Sequence, residues 1–295
     1  MSLAELVEAF LTKLDLYAAL DLDPPLVEAY FTRVQQCYKA VPYHNHLHVA
    51  SVVALCSDMW LEKGLGDKVK LALPHEHNVL ALAFVTAAAT HDIEHQGLSN
   101  EWLVRTCHPY AVAHNDVSPN ESHHAATAFR ILFNECNFVA GFSGNDLRCF
   151  RKATIDLIMA SDMKRHFEIQ SNLRNRDMRH PTSHDAPVLM QAAFKAADLG
   201  HTLLPFQDHM VWSQLLQEET HAEGDLWRSR GWGVQALMDR NRASSFPENQ
   251  SGFFQYVVIP FLETLTDALP AMAKFLAQAK SNEEAWRRML PSSNP

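Results

Sequence analysis

The sequence predicts an all-α fold, a compact bundle of many helices that forms one domain over residues 1–295. Apolar residues recur at helical spacing along nearly the whole chain, and the alternation typical of strands is absent from the sequence. Hydrophobic residues make up 47% of the chain, which is enough for a substantial core. The sequence contains no internal repeat and no clear linker that would divide it.

The first half of the chain reads as helices separated by breaks. Asp23-Pro24-Pro25 marks a helix start, because proline is tolerated in the first turn of a helix. A polar connection over residues 64–77 precedes an apolar, alanine-rich helix. That helix runs into Thr90-His91-Asp92, and if it continues, His91 and His95 share one face with Gly97 closing it. We expect the helices of this half at residues 3–14, 24–38, 49–60 and 80–89.

The second half follows the same pattern with longer breaks. Residues 108–119 and 171–186 read as loops, and residues 231–249 read as an irregular lid or pocket edge. Pro260 and Pro270 should interrupt a long apolar region, and residues 281–284 should cap a last short helix. We expect helices at residues 121–133, 145–160, 187–199, 212–227 and 253–279.

Composition excludes several classes of function. A net charge of −9 without a basic stripe argues against a nucleic-acid partner. No uncharged apolar run is long enough for a membrane span, and the first residues lack the features of a signal peptide. The five scattered cysteines, with no Cys-x-x-Cys pair, favour free thiols in a reducing cytoplasm.

The histidines and aspartates carry the clearest chemical signal. His48, His91, Asp92 and Asp198 lie near the ends of apolar segments, where a buried aspartate is costly unless it is paired or bound to a cation. Mixed imidazole and carboxylate ligands suit zinc, iron or manganese better than calcium. If Asp92 bridges, a harder ion such as magnesium can lie alongside. His44, one helical turn before His48, is not one of these four candidate ligands and is placed to act as a general acid.

The chain resembles the catalytic domain of the class I cyclic nucleotide phosphodiesterases. The resemblance covers about residues 38–269, and the motifs occur in the order found in the family. The matching segments are Tyr43-His44-Asn45-x-x-His48, His91-Asp92-x-x-His95-x-Gly97-x-x-Asn100, Glu121-Ser122-His123-His124, Ser161-Asp162-Met163, Ala197-Asp198-Leu199 and Gln250-x-Gly252-Phe253.

The resemblance implies hydrolysis of the 3′ phosphoester bond of cyclic AMP, cyclic GMP or both, with a 5′-monophosphate as product. It implies a zinc ion held by His48, His91, Asp92 and Asp198, and a magnesium or manganese ion held by Asp92 and water. A hydroxide bridging the two ions would be the nucleophile. His44 would then protonate the departing 3′ oxygen, and a Glu matched by Glu219 would orient it.

The resemblance also implies roles for residues around the two ions and around the base. Metal-bound waters would be supported by His95, Asn100, Glu121 and Asp162. Substrate-binding residues would be Gln250 on the purine edge, Phe253 and Leu216 on the two faces of the ring, and Tyr43 and His201 in the pocket.

Several positions depart from the family pattern, and two of them bear on function. Ser51 stands where the family usually has Asp, and His201 stands where it often has an Asn linked to the choice between cyclic AMP and cyclic GMP. Ser51 weakly favours an alternative, a catalytically weak domain that binds cyclic nucleotide as a sensor. A hydrolase of another nucleotide shares the metal ligands but leaves Gln250 and Phe253 without a role. We expect regulatory domains, common in the family, to lie outside this sequence, and the nucleotide preference stays open.

Overall fold

The structure is a computed structural model that describes residues 1–241 and 246–290. It is 74% helical and has no strand among the described residues, so the predicted all-α class is confirmed. The helices are α1 (Leu3–Lys13), α2 (Leu16–Ala19), α3 (Pro24–Gln36), α4 (His46–Glu62), α5 (Leu65–Ala72), α6 (His77–Thr90), α7 (Asn100–Arg105), α8 (Pro109–Ala113), α9 (Pro119–Asn134), α10 (Gly144–Ala160), α11 (His166–Arg174), α12 (Ala186–Asp198), α13 (Phe206–Ser229), α14 (Phe246–Phe253), α15 (Ile259–Ala268) and α16 (Ala273–Arg288).

Helix α6 is the centre of the bundle. Its residues from Val79 to Thr90 are all buried, and it packs against α4 and α10 on either side. A helix that is apolar on every face is stable only inside the core. Since α6 ends at Thr90, its last turn delivers His91 and Asp92 into the interior of the protein.

The chain turns immediately after α6, and the expected shared helix face of His91 and His95 is wrong. Residues 91–94 form a turn in which Glu94 has a φ of +63°, and Gly97 has a φ of +69°. A Cβ atom at Gly97 would lie 3.1 Å from Cγ of Glu219. Glycine therefore permits both the left-handed backbone and the close approach of α13.

Four other expectations about secondary structure need correction. The connection over residues 64–77 contains α5, whose Leu65 and Val69 are buried, and residues 108–119 contain the short helix α8. Residues 171–186 are only partly a loop, because α11 extends to Arg174 and Asp185 is buried. Helix α16 passes through residues 281–284 instead of beginning there. These helices are short or half-polar, which makes their periodicity weak in the sequence.

Pro260 does not interrupt the helical region that follows the lid segment. Helix α14, a π-helical segment at Phe254–Val258 and α15 form one continuous run, with Pro260 in the first turn of α15. A π-helical turn changes the hydrogen-bond register just before the proline, whose nitrogen has no hydrogen to donate. Pro270 does end that run, because a 3₁₀ segment at Pro270–Met272 separates α15 from α16.

The expected lid contains a 3₁₀ segment at Ala236–Met238, and α14 begins within it. Residues 242–245 of this lid lie outside the described residues. Throughout the described part of the chain, no helix combines the length and the apolarity needed to cross a membrane.

Candidate metal centre and active site

Three helices bring the four predicted metal ligands together. His48 lies on α4, His91 and Asp92 follow α6, and Asp198 ends α12. Nε2 of His48 is 3.5 Å from Oδ2 of Asp92 and 3.2 Å from Oδ1 of Asp198. Nε2 of His91 is 3.2 Å and 3.3 Å from the same two oxygens. The four ligand atoms thus surround one point.

These separations fit a tetrahedral divalent cation. A tetrahedral ion with ligands at about 2.0 Å separates neighbouring ligand atoms by about 3.3 Å. Nε2 of His91 and Oδ2 of Asp92 are buried and have no hydrogen-bond partner within residues 1–241 and 246–290, and a bound cation would supply one. Nδ1 of His91 donates to the carbonyl oxygen of Ala88 at 3.0 Å, which leaves the lone pair of Nε2 directed at the cluster.

His44 lies beside this cluster and is held by Glu219 of α13. Nδ1 of His44 donates to Oε1 of Glu219, and Oε2 of Glu219 accepts from the backbone amides of Tyr43 at 2.9 Å and His44 at 3.1 Å. Burial opposes the protonated form of His44, but the charges of Glu219, Asp92 and Asp198 raise its pKa to about 9. Burial likewise opposes ionisation of Glu219, but His44 lowers its pKa to about 2.

His95 separates His44 from the interior of the site. Its ring centroid lies 4.1 Å from that of His44, and the backbone amide of Gly97 donates to its Nδ1 at 3.0 Å. Burial and the neighbouring His44 lower the pKa of His95 to about 3. His95 is therefore neutral, and its proton resides on Nε2.

Three polar residues line the opposite wall of the cleft. Nδ2 of Asn100 donates to Oε2 of Glu121 at 2.8 Å, and Asp162 accepts from the hydroxyl of Ser118 at 2.8 Å. Burial, together with the charges of Asp162 and Asp92, raises the pKa of Glu121 to about 7. The structure thus brings all four residues predicted to support metal-bound waters to one cleft beside Asp92.

His124 is a member of this site that the sequence reasoning did not assign. Its Nδ1 donates to the carbonyl oxygen of Ile93 at 2.6 Å, so Nε2 keeps its lone pair. That Nε2 is buried, has no hydrogen-bond partner in the part of the chain that the structure describes, and lies 4.0 Å from Oδ1 of Asp92. The signal in the sequence was its position three residues after Glu121, which places both on one face of α9.

Two adjoining cavities extend from the predicted metal ligands. The first, about 470 Å³, is lined by Asp92 and Asp198 together with Tyr43, and the second, about 530 Å³, is lined by Gln250. His201, Leu216 and Phe253 line both cavities and therefore stand at their junction. Volumes of this size are typical of small-molecule sites. The predicted substrate-binding residues are thus brought together beside the predicted metal ligands.

Ser51, which stands where the family usually has Asp, contacts the backbone of α4, the helix that carries His48. Its hydroxyl donates to the carbonyl oxygen of His48 at 2.6 Å. The ring of His48 packs instead against Tyr43, with ring centroids 4.7 Å apart. His48 is therefore held by packing as well as by the cluster.

The comparison with known families decides what kind of domain this is. The sequence model of the 3′5′-cyclic nucleotide phosphodiesterase family matches residues 43–279. The chain belongs to the cyclic nucleotide phosphodiesterase family. This match covers every predicted site residue from Tyr43 to Phe253.

Similar proteins differ in the nucleotide that their names specify. The chain is 32% identical over 239 residues to a dual 3′,5′-cyclic-AMP and -GMP phosphodiesterase beta of Plasmodium falciparum, with 79% of this chain and 20% of that protein covered. It is 30% identical to the mouse high affinity cGMP-specific 3′,5′-cyclic phosphodiesterase 9A, with 88% and 48% covered. It is 26% identical to a probable 3′,5′-cyclic-AMP phosphodiesterase of Caenorhabditis elegans, with 98% and 44% covered. The chain thus spans at most about half the length of these relatives.

A solved structure supports the fold of the cyclic nucleotide phosphodiesterases. The phosphodiesterase domain of a rhodopsin phosphodiesterase from the choanoflagellate Salpingoeca rosetta superimposes with a TM-score of 0.87 at 23% identity. The superposition covers 98% of this chain and 87% of that domain. The whole described bundle, including the helices outside the motifs, therefore has the architecture of this fold.

Proposed function

We propose that the chain is a metal-dependent phosphodiesterase that opens the 3′ phosphoester bond of a purine 3′,5′-cyclic nucleotide and yields the 5′-monophosphate. The observation that carries the proposal is the pairing of a tetrahedral His48–His91–Asp92–Asp198 cluster with a protonatable His44 at the mouth of one cavity. The His44–Glu219 pair supports an active enzyme over a sensor domain, because a domain that only binds nucleotide does not need an oriented general acid.

We assign zinc to the tetrahedral cluster, because two imidazoles and two carboxylates at these separations suit its preferred geometry. We assign magnesium or manganese to a second site at the free side of Asp92, with His95 and His124 close by. When both ions are bound, they supply an activated water molecule and neutralise phosphoryl charge.

The protein's own groups then perform three tasks. His44, with Nδ1 engaged by Glu219, presents Nε2 to the cavity and donates a proton to the departing 3′ oxygen. Water in the cleft is oriented by five residues, namely His95, Asn100, Glu121, His124 and Asp162. The purine is clamped between Phe253 and Leu216, while Gln250 bonds its edge. Tyr43 and His201 complete the wall of the pocket.

The five cysteines are free, and we therefore infer a reducing, cytoplasmic compartment. A small cyclic nucleotide is the partner that the site accommodates.

The test is hydrolysis of cyclic AMP and cyclic GMP in parallel, with chelator and then with zinc plus magnesium or manganese restored. Turnover that is lost with chelator and restored with metal supports the proposal. The variant His44→Ala should lose turnover yet still bind nucleotide. Protein that carries zinc and hydrolyses neither nucleotide would refute the proposed activity.

A further inference from the structure

A chain of buried rings connects the C-terminal helix to the substrate cavity. Trp286 of α16 donates its indole N–H to Nε2 of His209 at 2.8 Å. Nδ1 of His209 lies 3.2 Å from Nδ1 of His201, which lines both cavities. Trp286 and His209 are 2% and 0% exposed, so water cannot substitute for either contact.

This chain of contacts fixes which nitrogen of each histidine carries a proton. An indole nitrogen can only donate, so Nε2 of His209 must accept and its proton must reside on Nδ1. That proton faces Nδ1 of His201, which must accept in turn. His201 therefore keeps its proton on Nε2. The hydroxyl of Ser213 does not compete as a donor, because it donates to the backbone carbonyl of His209 at 2.9 Å.

Burial supports the neutral state that this assignment requires. Burial lowers the pKa of His209 to about 4, and burial with the adjacent His209 lowers the pKa of His201 well below its usual value. The segment that carries His201 is also held in place by α16. Asn282 is fully buried and donates to the carbonyl oxygens of Thr202 and Leu204, both at 2.9 Å.

We infer that Trp286 and His209 are positioning residues that lock His201 as a hydrogen-bond donor facing the base, so that the pocket selects a purine whose edge presents acceptors. Guanine presents N7 and O6 as two acceptors on its Hoogsteen edge, whereas adenine presents N7 beside an amino donor. Because N7 is common to both bases, a fixed N–H of His201 favours cyclic GMP through position 6, where guanine has an acceptor and adenine has a donor. This inference rests on the proposed function, and two of the residues that support it, Asn282 and Trp286, lie beyond the family match, which ends at residue 279.

Gln250 does not by itself distinguish guanine from adenine. Oε1 of Gln250 is buried and has no hydrogen-bond partner among the described residues, so within that part of the chain the amide is not tied in one orientation through this oxygen. An amide carries a donor and an acceptor and matches either purine by rotating. The fixed donor is the group that discriminates.

The direct test is ¹⁵N NMR of the histidine side chains, with the His201 signals assigned by their loss in His201→Asn. The two ring nitrogens of a neutral imidazole differ strongly in chemical shift, so the spectrum reports which one is protonated. We expect the proton of His201 on Nε2. A proton on Nδ1, or a mixture of tautomers, would overturn the inference whether or not the protein hydrolyses anything.

The functional test compares kcat/KM for cyclic GMP and cyclic AMP. We expect wild-type protein to prefer cyclic GMP by about tenfold, the size of one matched against one mismatched hydrogen bond. Trp286→Phe and His209→Leu should lower this ratio to about threefold or less, mainly through KM. His209→Gln should keep the preference, because its amide accepts from Trp286 and donates to His201.

Trp60→Phe is the matched control, because Trp60 is similarly buried and its indole nitrogen finds no hydrogen-bond partner among the residues described. It should leave the ratio unchanged. A cyclic AMP preference in the wild type, or an unchanged ratio in both Trp286→Phe and His209→Leu, would contradict the inference. If the wild-type protein hydrolysed neither nucleotide, that result would count against the proposed function, while NMR would still report the tautomer of His201.

Discussion

Glu219 holds His44 from two sides: one carboxylate oxygen accepts from the imidazole Nδ1, and the other accepts from the backbone amides of Tyr43 and His44. The ring and its backbone are thus fixed by a single carboxylate that arrives from α13. Gly97 makes room for that carboxylate, since a side chain there would press on Glu219. The proposed proton donor is oriented by a residue 175 positions away in the chain.

Replacing Glu219 tests this relationship. Glu219→Gln should lower kcat roughly 10- to 100-fold, because the general acid loses both its orientation and the charge that keeps it protonated. KM should change little. The alkaline limit of activity should also move to lower pH, since removal of the carboxylate lowers the pKa of His44 from about 9.

The adjacent Glu218 provides the control for that variant. Its side chain is 60% exposed and pairs only loosely with Arg240 at 3.7 Å. Glu218→Gln should therefore leave both kcat and the pH profile unchanged. Equal losses in the two variants would mean that Glu219 does not act through His44.

Metal binding should depend on Asp198. In Asp198→Asn, one of the four cluster atoms becomes a poor ligand, so we expect the tightly bound zinc found in wild-type protein to be lost, as measured by mass spectrometry of the purified protein. Zinc should also raise the melting temperature of the wild type by several degrees and leave that of the variant unchanged. His46→Ala is the control, because His46 is exposed on the same helix as His48. A full complement of zinc in Asp198→Asn would refute the assigned ligand set.

His124 and His123 form a second matched pair. His124→Ala should weaken binding of the magnesium or manganese ion by about 10- to 100-fold while zinc content stays at its wild-type level. His123 instead pairs with Glu94 at 2.7 Å and stacks on Tyr110, away from Asp92. His123→Ala should therefore bind the second ion normally. The measurement is the metal concentration that restores half-maximal activity to zinc-loaded protein.

Asp185 should make stability depend on pH in the acid range. At the start of α12 it accepts from the backbone amide and hydroxyl of Thr182 and from Arg176, and these bonds lower its pKa to about 2 from an ordinary value of 3.8. A lowered pKa stabilises the fold above about pH 4, and that contribution disappears as the pH falls towards 2. Asp185→Asn should cost about 1–2 kcal/mol at neutral pH.

The difference in unfolding free energy between wild type and Asp185→Asn should shrink as the pH falls from 4 towards 2, in denaturant titrations. Asp177→Asn is the control. Asp177 pairs with Arg179 in solvent, so its replacement should change stability little at any pH. A difference for Asp185→Asn that is constant across this range would exclude the proposed linkage.

The sequence predicted which histidines and aspartates meet in the core better than it predicted the path of the chain between them. His91, Asp92 and Asp198 each follow an apolar run that could only be buried, so their meeting in the core followed from hydrophobic pattern and motif order. The turn after α6 could not be predicted in this way. Glu94 adopts a left-handed backbone there, and its side chain pairs with His123 and Arg130, which are distant in the sequence.

The other features that were not predicted from the sequence depend on contacts between residues far apart in the chain. Asn282 was expected to belong to a helix cap. It is instead buried within α16, where it donates hydrogen bonds to the carbonyl oxygens of residues 202 and 204. His124 was not assigned a role from the sequence, and its role became visible only in the structure, where its Nε2 lies beside Asp92. Such contacts join residues many positions apart, and local periodicity carries no information about them.

The most direct test of the proposed reaction is hydrolysis in ¹⁸O-labelled water with identification of the product. We predict a nucleoside 5′-monophosphate with one ¹⁸O on phosphorus and no label in the 3′ hydroxyl, formed only when metal is present and abolished in His44→Ala. A 3′-monophosphate, label in the 3′ hydroxyl, or the absence of turnover in zinc-loaded protein supplied with magnesium or manganese would contradict it.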